Sequence, residues 1–202
     1  MAAPRKAKAD DTGTRRRLIE ATVQIMHDEG YAGATSRRVA AKAGIRQPLV
    51  HYYFPTMDDL FLAVLRAGAD VVLDQMRAAL TDNDPLRALW AINSDPRAAV
   101  LNTEFMALAN HRKVIGLELK AYAERVRDLE TAAVALVLRT HGIDLDSHPP
   151  IVISMLIAQI ARSLGNEDAL GVTLGHDEML RFAEQQINAL ISTPPPSTAT
   201  SV

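Results

Sequence analysis

Apolar residues at Ile115, Leu119, Tyr122, Val126, Leu129, Ala133 and Leu136 recur in alternating steps of four and three. Steps of that size line side chains along one stripe of an α-helix, whereas a half-buried strand repeats every second residue. The stripe sits within Arg112 to Thr140 and predicts a helix of roughly 40 Å at 1.5 Å per residue. Nowhere does a run of alternating β-branched residues reach the length a sheet strand needs. The fold class is all-α.

Helix stops and starts divide the rest. A first helix is expected from about Thr14 to Glu29, capped by Thr12 or Thr14 and ended by Gly30. Thr35 caps a short helix over Ser36 to Lys42, Gly44 breaks it with Ile45 as an apolar plug, and Pro48 suits the first turn of a third segment from Gln47. Thr56-Met57-Asp58-Asp59 resembles a capping box opening a long helix to about Leu80. Asp84-Pro85 and Ser94-Asp95-Pro96 then start two further helices, the second ending near Asn110. After the long stripe, helices are expected over Ile151 to Leu164 and Asp177 to Ile191, joined by an open loop from Gly165 to Gly175. The expected organisation is a disordered basic tail over 1–10, a three-helix domain over 11–55, a connecting helix over 56–80, a helical domain over 81–192 and a disordered Pro-rich tail over 193–202.

Composition removes several classes of function. With no Cys among 202 residues, there is no disulfide scaffold, cysteine nucleophile or thiolate metal site. A chain of this length buries roughly 70% of its unfolded surface and builds its own core. The most apolar stretch, Ile151 to Ile160, includes Ser154 and Gln159 and is about half the roughly 20 residues of a membrane-spanning helix. The opening MAAPRKAKADD has no apolar run behind its cations, so it does not read as a secretory signal; the expected location is the cytoplasm. The six His, at 27, 51, 111, 141, 148 and 176, have no tight ligand spacing, and no nucleophile or phosphate-loop motif occurs. No metal, cofactor or catalytic residue is expected, and the acidic residues read as solvated helix faces.

Charge is uneven along the chain. Ten basic residues face five acidic ones through Phe54, a net of +5, which leaves −7 for the remainder within a total of −2. A basic quarter on an acidic body suits contact with a polyanion, although a solvated Arg-rich helix face fits the charge equally well. The motif decides between them. Thr35 to Phe54 reads as helix, Gly-containing turn and short helix, the grammar of a helix-turn-helix whose second helix enters the DNA major groove. Its exposed Gln47, His51 and Tyr52 offer an amide for an adenine edge, an imidazole for base or phosphate, and a phenol for phosphate. Arg37, Arg38 and Arg46 flank them as phosphate neutralisers, and Thr35 and Pro48 complete the candidate DNA-binding set. Five of nine aromatics fall between Tyr31 and Phe61, and Tyr53 and Phe54 read as core cement of this small unit. The basic tail at Arg5, Lys6 and Lys8 reads as a soluble leader or as a reach to neighbouring phosphates.

The stretch Arg15 to Leu65 resembles the N-terminal DNA-binding domain of the TetR family of transcriptional regulators. The resemblance rests on linked features in order: Gly30-Tyr31, Thr35, Val39-Ala40 with Ala43-Gly44-Ile45, Tyr53-Phe54 and Leu60. It covers a quarter of the chain and implies an all-α homodimer, a variable C-terminal effector domain and DNA release when a small molecule binds. Two positions depart from the pattern: Met57 stands where the family commonly has a phosphate-contacting Lys, and His51 where a Tyr is frequent. Backbone anchoring then falls to Tyr52 or to Arg15-Arg16-Arg17.

For the C-terminal half, the resemblance implies dimerisation through 151–164 and 177–191 as a four-helix bundle. Trp90, Phe105, Met106, Tyr122 and Met155 are large or adaptable side chains on helices that would surround a pocket, and plain core packing accounts for each of them as well. The function read from the chain is a DNA-binding transcriptional regulator, a repressor released from a pseudo-palindromic operator by a mostly apolar small molecule. The alternative is a helical small-molecule binding protein or enzyme in which residues 15–65 are structural. A DNA binder without an effector is the third reading.

Overall fold

The structure, a computed structural model, describes residues 4–192, with side chains placed from 12 to 189. Among these residues nine α-helices and one short 3-10 turn follow one another, with no strand. They are α1 (Pro4–Glu29), the 3-10 turn Tyr31–Gly33, α2 (Ser36–Ala43), α3 (Gln47–Tyr53), α4 (Met57–Ala79), α5 (Pro85–Asn93), α6 (Pro96–His111), α7 (Lys113–Thr140), α8 (Pro150–Ala169) and α9 (His176–Ser192). None is long and apolar enough to cross a membrane.

Two boundaries differ from expectation. α1 begins at Pro4, so neither Thr12 nor Thr14 caps it, and the expected disordered tail over 1–10 is helical from Pro4 on. Ala and Lys are strong helix formers and Pro suits a first turn, which extends the helix through a leader read as coil on charge alone. Residues 1–3 of that tail, and the expected tail over 193–202, lie outside the described residues. α8 runs on through Gly165 to Ala169, shortening the expected open loop. Gly165 is buried, and a Cβ there would lie 3.1 Å from the carbonyl oxygen of Ser94. The missing side chain lets α8 pass close to the end of α5, and that contact offsets the helical cost of glycine.

The chain forms two compact units: residues through Asp70 with Val100–Ala121, and Val71–Ala99 with the residues from Tyr122 on. The division falls within α4 rather than at its end, and 100–121, expected in the C-terminal domain, belongs with the first unit.

In the first unit, Leu18, Ile25 and Met26 of α1, Val39 of α2, Val50 of α3 and Leu60 of α4 are among the buried residues. The expected turn after α2 forms through Gly44, whose φ of 66° is left-handed. The Ile45 amide donates to the Ala40 carbonyl at 3.0 Å and the Gly44 amide to the Ala41 carbonyl at 3.2 Å, the paired bonds of a Schellman stop. At the start of α4 the expected capping box is complete. The Thr56 amide and hydroxyl donate to Asp59 Oδ2 at 2.9 and 2.7 Å, and the Asp59 amide donates back to Thr56 Oγ1 at 3.1 Å. Ion pairs between Arg112 and Asp58, and between Arg66 and Glu118 at 2.7 Å, join α4 to the α6–α7 corner within this unit.

The second unit packs Leu73, Met76, Leu86, Leu89, Val134 and Leu138, among others, into one core contributed by α4, α5, α7 and α8. One carboxylate is sunk beside it. Glu130 of α7, 1% exposed, accepts from the Asn93 side-chain amide of α5 at 3.0 Å, and the Arg162 guanidinium of α8 donates to Asn93 Oδ1 at 2.7 Å. Arg162 and Arg127 stand 3.7 and 3.6 Å from the carboxylate, which makes Glu130 an exception to the solvated acidic faces expected from sequence. The network stitches three helices. Burial raises the Glu130 carboxyl above its ordinary range, outweighing the Asn93 hydrogen bond and the two guanidinium charges that lower it.

Two outcomes follow from these contacts. Gly44 has open space around its Cβ position, so Gly44→Ala changes backbone strain alone and is expected to cost about 1–2 kcal/mol in denaturant unfolding. Glu130→Ala removes one acceptor of the Asn93 amide and the carboxylate beside two guanidiniums, and is expected to cost about 2 kcal/mol, with Glu130→Gln costing less. Because the native carboxyl holds its proton to higher pH than the unfolded one, its contribution is full below the unfolded range and fades as pH rises through the native value. Denaturation of wild type and Glu130→Gln side by side from acid to neutral pH should therefore show wild type losing ground to the variant as pH rises.

Candidate nucleic-acid interface

α3 is a seven-residue helix, too short to persist by itself, so its orientation is set by what it buries. Val50 is 1% exposed and Phe54, its C-cap residue, is 2% exposed. Those anchors pin one face to the first unit. Gln47, Pro48, His51 and Tyr52 lie exposed, with Tyr52 at 74%. Pro48 occupies the first turn, where its ring presets φ and its missing N–H has no intrahelical partner to lose. Tyr52 meets the half-buried Tyr53 edge to face, with ring centroids 5.1 Å apart. The Arg15 guanidinium sits 4.9 Å from the Phe54 ring centroid, so the anchor is itself covered by a cation.

α2 supplies the second rank. Thr35 is its N-cap and accepts from the Arg38 amide at a long 3.4 Å. Arg38 is ion-paired with Glu29, and Lys42 lies 3.4 Å from Asp28, so these cations lean back on α1. Arg37 and Arg46 are exposed and have no ion-pair partner among the described residues. Exposed pairs are worth about 0–1 kcal/mol, so Arg38 can trade its carboxylate for a phosphate at little cost. Arg16 pairs with Glu20 at 3.4 Å, and Arg17 is exposed. The sequence-expected DNA set, Thr35, Arg37, Arg38, Arg46, Gln47, Pro48, His51 and Tyr52, thus lies on α2, α3 and the turn between them, and every member is solvent-exposed. Met57, half-buried at the start of α4, adds no cation.

One supporting residue left no local signal in the sequence. Glu104 of α6 accepts from the Tyr31 amide at 2.7 Å, satisfying the first donor of the 3-10 turn that leads into α2, across 73 positions of chain. Its carboxylate also lies against Gly30, where a Cβ would come within 3.1 Å of it.

The five candidate ligand residues are not brought together in the same way. Phe105 is buried and Met106 exposed in the first unit; Trp90 and Tyr122 pack half-buried against the core of the second, and Met155 of α8 is exposed. Trp90 lines a groove of about 440 Å³ within the second unit, with Leu180, Ala183 and Ile187 of α9 as its apolar floor and the Arg87–Glu184 pair, 3.0 Å apart, on its rim. The other four line neither this groove nor the one of about 460 Å³ in the first unit beside Arg15, Tyr53 and Leu62.

Comparison with known proteins agrees with this geometry. Residues 18–64 match the family described as bacterial regulatory proteins, tetR family. The HTH-type transcriptional regulator BetI of Rhizobium meliloti is 26% identical over 122 residues, which cover 56% of this chain and 60% of that protein. The HTH-type transcriptional regulator RutR of Escherichia coli is 29% identical over 75 residues, covering 37% of this chain and 35% of RutR. The chain thus spans between a third and three-fifths of these relatives. In overall fold it is similar to a Saccharomonospora viridis protein solved in complex with choline, with a TM-score of 0.75 at 17% identity over 88% of this chain and 96% of that one. The likeness to the tetR family of bacterial regulatory proteins is thus carried by residues 18–64.

Proposed function

We propose that the protein is a ligand-responsive transcriptional regulator that works in the cytoplasm as a homodimer and represses from a pseudo-palindromic operator. The observation that carries this reading is the exposed face of α3, with Gln47, His51 and Tyr52 accompanied by exposed Arg37 and Arg46, which have no ion-pair partner among the described residues. The side chains suit base edges, the cations suit phosphates, and the buried Val50 and Phe54 hold the helix as a rigid reader. Two copies placed about one turn of DNA apart would read two half-sites.

The second copy is supported by apolar surface on α8 and α9. Ile151, Val152 and Leu156 of α8 and Met179 and Phe182 of α9 are exposed, as are Leu170 and Leu174 of the loop between them. An apolar face of that kind on a monomer favours association, and a two-fold pairing of α8 and α9 with their copies covers it. For the effector, we infer a mostly apolar small molecule held in the C-terminal half. Trp90, which lines the groove beside α9, is the candidate contact there. The Saccharomonospora neighbour holds a small organic cation, an indication that this fold accommodates such molecules. Release requires that the effector prefer a protomer arrangement in which the two readers no longer fit one operator.

Operator titrations at several salt concentrations test the reading. Gln47→Ala and His51→Ala are expected to cost about 1–3 kcal/mol each for operator while leaving non-specific binding unchanged, and Arg46→Ala to weaken all sequences alike and reduce the salt slope by about one. A small-molecule carrier would be indifferent to all three. Leu156→Asp, on the exposed face of α8, is expected to weaken self-association by about 2 kcal/mol or more in sedimentation and to carry operator affinity down with it.

A further inference from the structure

We propose that Ser36 is a positioning residue for base reading: its hydroxyl turns the Gln47 amide so that the chain prefers an adenine in each half-site. The Schellman stop at Gly44 brings the first residue of α2 beside the first residue of α3. There Gln47 Nε2 donates to Ser36 Oγ at 3.0 Å. A glutamine amide has two N–H donors on nitrogen and one carbonyl acceptor. Occupying one N–H leaves the acceptor and one donor on an exposed side chain, the complement of the major-groove edge of adenine, which offers the N6 donor and the N7 acceptor. Guanine offers two acceptors there and needs two donors, which an amide turned in this way does not supply. An exposed glutamine without such a brace loses several rotamers on binding and can turn over, so it discriminates less. Thr35 already caps α2 through its own hydroxyl, so that of Ser36 is not needed for the cap.

This inference rests on the reading of α3 as an operator reader, and the experiment separates the two. Wild type, Ser36→Ala, Ser36→Thr and Gln47→Ala are used in turn to select duplexes from a random-sequence library, with circular dichroism confirming that each variant is folded. Wild type is expected to enrich a two-fold site with an adenine at one position per half-site. Gln47→Ala is expected to lose that preference on the order of tenfold, and Ser36→Ala to lose most of it at the same position with its salt slope unchanged. Ser36→Thr, which keeps the hydroxyl, should retain the preference. If Ser36→Ala keeps the full preference, or weakens every sequence alike, the hydroxyl contacts phosphate or nothing and the proposal fails. A wild-type site with no base that depends on Gln47 also overturns it. No enriched sequence with wild type overturns the operator reading itself.

Discussion

The burial of Val50 and Phe54 is the constraint from which the rest follows. A helix as short as α3 has no orientation of its own, and the free energy of two apolar side chains leaving water decides which face it shows. With these two inside, Gln47, His51 and Tyr52 lie outside. Everything upstream keeps that seat in place: the left-handed Gly44 reverses the chain after α2, Pro48 presets the first turn, and Arg15 lies over the anchor ring. Downstream, the Thr56–Asp59 box starts α4 directly after the anchor, so α3 is clamped between two defined turns.

The first unit is more than a three-helix reader. Glu104 on the Tyr31 amide, Arg112 on Asp58 and Arg66 on Glu118 tie the second half of α6 and the start of α7 into the same compact unit as α1 to α3. α4, α6 and α7 each contribute to both units, so three covalent rods, rather than α4 alone, connect reader and C-terminal half. In the second unit the Glu130 network ties α5, α7 and α8 at a point that resists apolar slippage, because any shift leaves charges unpaired. A regulator needs stiff elements of this kind if a small change at one site is to be felt at another.

The local devices of the reader were legible in sequence because each is written in adjacent residues. Thr35, Gly44-Ile45, Gln47-Pro48 and Thr56 to Asp59 each signal a turn or a cap by their own chemistry, and each is found where expected. What escaped is carried by distance in the chain. Glu104 and Tyr31, Arg112 and Asp58, Ser36 and Gln47, and Glu130 with Asn93 and Arg162 are partners only once helices have packed, and no period or motif announces them. Gly165 looked like a loop residue for the same reason: the Ser94 carbonyl that requires it is on another helix. Size and apolar character alone do not tell core from pocket, and of Trp90, Phe105, Met106, Tyr122 and Met155 Trp90 lines a groove.

On the proposed function, the exposed α3 faces of two protomers engage one duplex together. Light scattering of the purified protein with a single operator duplex, at protein concentrations well above its dissociation constant, measures this directly. Complexes holding two protomers per duplex are expected, and no stable complex holding one. A one-to-one complex of full affinity would contradict it.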